Sequence, residues 1–186
     1  MTAQEFDVIV VGSGAAGMVA ALTAAHQGLS AVVVEKAPHF GGSTARSGGG
    51  VWIPNNEILK RDGVTDTKDA ARTYLHSIIG DVVEPERIDT YLERGPEMLS
   101  FVLRNSPLKM CWVPGYSDYY PEAPGGRPAG RSIEPKPFNA RKLGPDEAGL
   151  EPAYGKVPLN VVVMQQDYVR LNQLKRHPRG VLRSLK

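Results

Sequence analysis

The chain has 186 residues, 41% of them apolar and 23% charged, and a formal net charge of +2. This is the composition of an ordinary globular protein of one or two domains, without the broad positive field that draws a protein to nucleic acid or an anionic membrane. The single Cys111 and the lack of any CxxC pair exclude an internal disulfide and fit a reducing cytoplasm, while Met1–Gln4 carry no basic leader, so neither a signal peptide nor an integral membrane span is expected.

The first predicted element is a strand, Val8–Val11, an unbroken β-branched run of the kind buried on both faces of a parallel sheet. It runs into Gly12-Ser13-Gly14-Ala15-Ala16-Gly17. In such a loop the first glycine makes the turn, the second lets backbone approach a pyrophosphate, and the third brings helix close to strand. The helix is expected over about 14–27, with Met18, Val19, Leu22 and Ala25 as its apolar residues and Gly28 as a left-handed cap. Its N-terminus offers free N–H groups and partial positive charge to phosphates. A second strand, Ala31–Val34, delivers Glu35 to its C-terminal end, where a carboxylate accepts from both ribose hydroxyls and repels a 2′-phosphate.

A second glycine cluster begins six residues past the acid, Gly41-Gly42-Ser43-Thr44-Ala45-Arg46-Ser47-Gly48-Gly49-Gly50. A nicotinamide dehydrogenase has no need of it. FAD does, because its ribityl chain and isoalloxazine ring extend past the pyrophosphate and must be met by backbone. The expected FAD contacts are therefore Gly12, Ser13, Gly14, Ala15, Ala16, Gly17, Glu35, Lys36, Gly41, Gly42, Ser43, Thr44, Ser47, Gly48 and Gly49. Residues 1–60 form the predicted FAD-binding βαβ core, and the apolar Val51-Trp52-Ile53 after the loop argues against a mere flexible linker.

Residues 61–106 read as helical. Asp66 or Thr67 caps a helix through Ile79 closed by Gly80; Pro85 opens another through Arg94; Gly95-Pro96 interrupts, and Glu97–Asn105 forms a third. Residues 107–160 are a Pro/Gly/Tyr-rich region, with ten of the fifteen prolines between Pro107 and Pro158. Long irregular loops are expected there, with short strands near Met110–Val113 and Val161–Val163. The four histidines are scattered without metal-ligand spacing, so no metal is expected, and Cys111 reads as a packed thiol. The fold class is α/β: a partial Rossmann-like FAD-binding domain with two parallel strands, a helical segment and a Pro-rich loop region. A two-stranded sheet is a poor free-standing unit, and residues 161–186 look like the start of a strand/helix segment cut short. The chain is thus expected to be the N-terminal portion of a longer protein.

These residues resemble the fumarate reductase/succinate dehydrogenase flavoprotein family: Asp7–Gly17, Glu35-Lys36, Gly41-Gly42-Ser43-Thr44 with Ser47-Gly48, and Val51-Trp52-Ile53-Pro54. Within it, Ala71-Arg72-Thr73-Tyr74-Leu75, Asp118-Tyr119-Tyr120 and Gly130-Arg131-Ser132-Ile133 look like 3-ketosteroid Δ1-dehydrogenases. The resemblance implies FAD-dependent removal of hydrogen from C1 and C2 of a 3-ketosteroid A ring. A tyrosine abstracts the proton and hydride passes to flavin N5. By motif position it makes Tyr119 an accessory active-site tyrosine, hydrogen-bonded to the proton-abstracting tyrosine, and puts Tyr116 and Gly50 in the substrate pocket. The proton-abstracting tyrosine and the groups that bind the C3 carbonyl lie in segments beyond this chain, and the electron acceptor is unassigned. Two other readings stand beside this one. Arg127 and Arg131 suit a fumarate-reductase-like or other 2-enoate oxidoreductase, and the missing strands suit an FAD-binding fragment without catalysis.

Overall fold

The structure is a computed structural model that describes residues 4–153 together with 164, 165 and 167. The chain divides into two compact units, residues 1–49 with 138–160 and residues 50–137 with 161–186.

In the first unit, strands β1 (Val8–Val11) and β2 (Ala31–Val34) pair in parallel, Val8 opposite Ala31 and Val11 opposite Val34. Helix α1 (Ala15–His26) joins them. Ala24 is its buried residue, and Gly17, where a Cβ would meet Gly12 O and Val10 Cγ1, lets it lie close to β1. Met18 is 49% exposed and Ala25 is also on the outside, so these two leave the expected apolar face. The helix ends as anticipated, with Gly28 at φ +81° and its N–H bonded to the Ala25 carbonyl. One expectation is overturned. β1 is buried on one face only: Val10 is 7% exposed under α1, whereas Ile9 is 66% and Val11 84% exposed on the other side. Alternation across the pleat sends those two side chains to the face that α1 does not cover.

The residues after β2 lead to a short helix, α2 (Gly42–Arg46), where the glycine cluster suggests only a loop. Phe40 forms a parallel bridge with Leu150, its N–H bonded to Gly149 O and its carbonyl accepting from Glu151 N. An ion pair joins Arg46 to the buried Glu151. Between these contacts, Ala140–Gly149 coils as 3₁₀ turns capped by Asn139. The proline-rich region thus carries short elements between irregular stretches, with residues 113–131 forming the long loop that was expected.

The second unit is built on a three-stranded antiparallel sheet that the sequence reading did not anticipate. β3 (Val51–Trp52) and β4 (Met110–Trp112) flank a central β5 (Ser132–Pro135). Helices α3 (Glu57–Arg61), α4 (Lys68–Ile79) and α5 (Pro85–Asn105) pack around it. Thr67 caps α4 by accepting from Ala70 N, and Gly80 closes it at φ +58°. Asn56, fully buried, accepts from Ile58 N and Leu59 N and so starts α3. The core joins Ile53, Ile58, Leu59, Leu99, Met110 and Ile133.

The break expected at Gly95-Pro96 does not occur, and α5 runs through it for 21 residues. Its buried residues Ile88, Leu92, Gly95 and Leu99 fall at spacings of four and three. Continuous burial of that stripe outweighs the one hydrogen bond and the local fit that Pro96 costs. Among the described residues no helix is long and apolar enough to cross a membrane. Val161–Val163 and residues 168–186 lie outside the described residues.

Candidate functional site: a two-glycine-cluster cradle and a tyrosine loop

In the first unit the two glycine clusters are bonded to each other. Ser13, 3% exposed, donates its hydroxyl to Glu35 and accepts from Gly41 N at 2.8 Å. Ala15 N donates to Thr44 Oγ1 at 3.1 Å. One serine hydroxyl therefore connects the first turn, the acid and the second cluster. Glu35 also accepts from Ser13 N and from Ala37 N, both at 2.9 Å. The Ala37 N–H, then the Ser13 hydroxyl and N–H, favour the charged form and hold the carboxyl down at about 2. A carboxylate has about four acceptor sites, so Glu35 keeps acceptor capacity beyond these three contacts.

The geometry fits a dinucleotide. The N-cap of α1 is Gly14, which provides no side-chain cap, so first-turn N–H groups beyond Ala15 lack an intrahelical acceptor. A Cβ at Gly12 would meet open space, as ligand-facing backbone requires. At Gly17 a Cβ would sit 1.9 Å from the Gly12 carbonyl oxygen, so only glycine lets helix and turn approach this closely. Gly42 comes to the same place: its Cβ would lie 3.8 Å from Gly14 Cα. Ala15, Ala16, Lys36, Ser43 and Gly48 are exposed, and Ser47 ties the end of α2 by donating to Thr44 O and accepting from Gly49 N.

The second unit carries the tyrosine loop. Tyr116 is half-buried in a turn whose N–H bonds Val113 O, and Gly50 adjoins β5, where a Cβ would be 3.8 Å from Ile133 O. Tyr119 is 85% exposed. Beneath it lies a polar cluster that sequence reasoning did not find. Arg131 is fully buried: its Nε and Nη2 donate to Asp66 at 2.9 and 3.1 Å, and its Nη1 donates to Asp118 at 2.7 Å. Nη2 also donates to Gly125 O, and the guanidinium carbon sits 5.6 Å from the ring centroids of both Trp52 and Tyr74. Asp118 further accepts from Trp52 Nε1 at 2.8 Å and Arg127 N at 3.0 Å. The usable signal was an Arg beside Gly130 in an aromatic-rich segment, but its partners are 13 and 65 residues away in sequence. Cys111 is the packed thiol expected, donating toward Glu134 O, and burial pushes its pKa up.

Comparison with known proteins gives this arrangement its context. The family described as "FAD binding domain" matches residues 7–184. Over all 186 residues the chain is 87% identical to the 3-oxosteroid 1-dehydrogenase of Mycobacterium tuberculosis, and it covers 33% of that protein. It is 85% identical, with the same coverage, to the enzyme of that name from Mycolicibacterium smegmatis. Among solved structures, 3-ketosteroid delta1-dehydrogenase from Sterolibacterium denitrificans, in complex with 1,4-androstadiene-3,17-dione, superposes with a TM-score of 0.83 at 39% identity. That superposition takes in 95% of this chain and 31% of the other. The chain spans about a third of the length of these relatives.

Proposed function

The chain belongs to the FAD binding domain family, and on that footing we propose that it is the FAD-binding part of a flavin-dependent 3-oxosteroid 1-dehydrogenase. The observation that carries this reading is the 87% identity over every residue of the chain. The FAD core read over residues 1–60 is a partial Rossmann-like βαβ unit, of which residues 50–60 belong to the second unit. Gly12–Gly17 at the N-terminus of α1 would hold the pyrophosphate, Glu35 the ribose, and Gly41–Gly49 the distal part of the cofactor. When bound, FAD supplies the hydride acceptor.

The chain's own contribution to the chemistry is Tyr119. A phenol has a pKa of about 10 and is a weak base at neutral pH unless its phenolate is stabilised. Tyr119, exposed and presented outward, donates a hydrogen bond to a proton-abstracting tyrosine in the rest of the protein, lowering that group's pKa. Tyr116 and Gly50 line the way to the steroid A ring. The C-terminal portion of the relatives supplies the remaining catalytic groups, and the lone buried Cys111 supports a cytoplasmic setting.

The 2-enoate reading keeps only Arg127 of its two arginines. Arg131 is fully buried and committed to Asp66 and Asp118, so it cannot receive a dicarboxylate. A chimaera in which this chain replaces the matching third of the Mycobacterium tuberculosis relative tests the choice. Androstenedione turnover with a soluble dye as electron acceptor is expected, and Tyr119→Phe is expected to lower kcat at least about a hundredfold with FAD retained. Fumarate reduction without steroid turnover would sink the proposal. A chimaera that binds FAD and turns over neither compound supports the non-catalytic reading.

A further inference from the structure

We propose that the buried cluster of Asp66, Asp118 and Arg131, together with Tyr74, is a positioning device for Tyr119. The inference rests on the role given to Tyr119 above. An exposed ring has little packing to orient it, so its direction is set by the backbone that carries it. That backbone is fixed on both sides. One residue before, the Asp118 side chain is fully buried and accepts from Trp52, Arg127 and Arg131, while its N–H donates to Arg127 O at 2.9 Å. One residue after, Tyr120 N donates to the Tyr74 hydroxyl at 3.2 Å. Tyr74, 3% exposed on α4, therefore ties the loop to a rigid helix from the far side.

The rest of the loop is shaped to allow this. A Cβ at Gly125 would lie 2.3 Å from Ala70 O and 2.8 Å from Tyr74 N, so this glycine lets the loop rest directly on α4. At Gly130 a Cβ would come 2.3 Å from Tyr116 O, which closes the loop on its own first turn. A buried ionic cluster is a poor way to add stability, since desolvation offsets most of the attraction. It is a demanding way to fix geometry, because every partner must be met at bonding distance. Arg131 meets Asp66 through two nitrogens, Asp118 through a third contact, and aromatic faces formed by Trp52 and Tyr74. These are the anchors of the strand, helix and loop that surround Tyr119.

The test uses the full-length chimaera. Tyr74→Phe and Asp118→Asn are made singly and each is combined with Tyr119→Phe. Each single variant is expected to lower kcat by about tenfold to a hundredfold, with KM, FAD content and melting temperature little changed for Tyr74→Phe. In the Tyr119→Phe background the same substitutions are expected to cost nothing further, because the group they position is gone. An equal fold-loss in both backgrounds overturns the proposal. If Tyr119→Phe itself turns over normally, the catalytic reading of Tyr119 fails, and amide hydrogen exchange at residues 119 and 120 decides the positioning claim. Faster exchange there in Tyr74→Phe supports it, and unchanged exchange overturns it.

Discussion

Glu35 holds the glycine turn together in this structure and is proposed to meet the cofactor, and both roles depend on its charge. Its carboxylate receives the Ser13 N–H and hydroxyl and the Ala37 N–H, which together shape the turn proposed to meet the pyrophosphate. With the carboxyl lowered from 4.5 to about 2 in the folded chain, the charged form is favoured by the fold. The contribution is fully present above the ordinary carboxylate value and is lost as pH falls from about 4.5 towards 2. FAD release on acidification, followed by flavin fluorescence, is therefore expected to rise through that window. Glu35→Gln keeps an acceptor oxygen but loses the charge; it is expected to bind FAD roughly tenfold more weakly at pH 7 and to show a flatter acid profile. A steep, unaltered profile in Glu35→Gln would place the acid sensitivity elsewhere. At Ser13 the expectation differs in kind. Ser13→Ala removes the hydroxyl that links Glu35 to Gly41 N, leaving a part-buried N–H without that acceptor, and is expected to lower stability by about 1 kcal/mol. Thermal melting with and without added FAD measures it, and a variant as stable as the parent would contradict the bridge.

At the level of elements, the helix–strand contact at Gly17 admits no side chain. Gly17→Ala would push a methyl to 1.9 Å from Gly12 O, and is expected to cost roughly 3 kcal/mol and most of the FAD affinity; retained FAD at native stoichiometry would show that the turn can shift. This contact was legible in the sequence because its cause is local: a β-branched strand, a glycine turn and a helix succeed each other within 20 residues. In the second unit the limits of α4 at Thr67 and Gly80, the start of α5 at Pro85 and strand β4 were legible as well, whereas the sheet that joins its strands was not, for equally physical reasons. β5 contains Glu134 and Pro135, neither a strand former, yet Glu134 is 6% exposed and accepts from Gln165 N at 2.7 Å. Position between β3 and β4 overrides propensity there. In α5 the local signal misled, since Pro96 marks a stop while Ile88, Leu92 and Leu99 keep one face buried across it. The Arg131 cluster was hidden because residues 66, 118 and 131 meet only after the antiparallel sheet and α4 have formed.

For the whole molecule, the decisive observation is the open side of the parallel pair. Ile9 and Val11 point the same way, are 66% and 84% exposed, and stand beside Val34, 44% exposed and opposite Val11 in register. Two strands with an uncovered apolar face are marginal by themselves, and such a patch favours association. The relatives are about three times as long as the chain, so in a protein of that length further segments are expected to cover this face. The two situations give opposite signs for one substitution. In the isolated 186-residue chain, Ile9→Thr with Val11→Thr removes exposed apolar surface and is expected to reduce aggregation and binding of an apolar dye. In the full-length chimaera the same pair removes surface that has become buried, and is expected to destabilise by roughly 2–4 kcal/mol at about 25 cal/mol per Å². Dye fluorescence and light scattering read the first arm, and denaturant unfolding of the holoprotein reads the second. Improved behaviour of both proteins would mean that the face stays open at full length. Loss in both would mean that Ile9 and Val11 are already buried in the isolated chain by self-association.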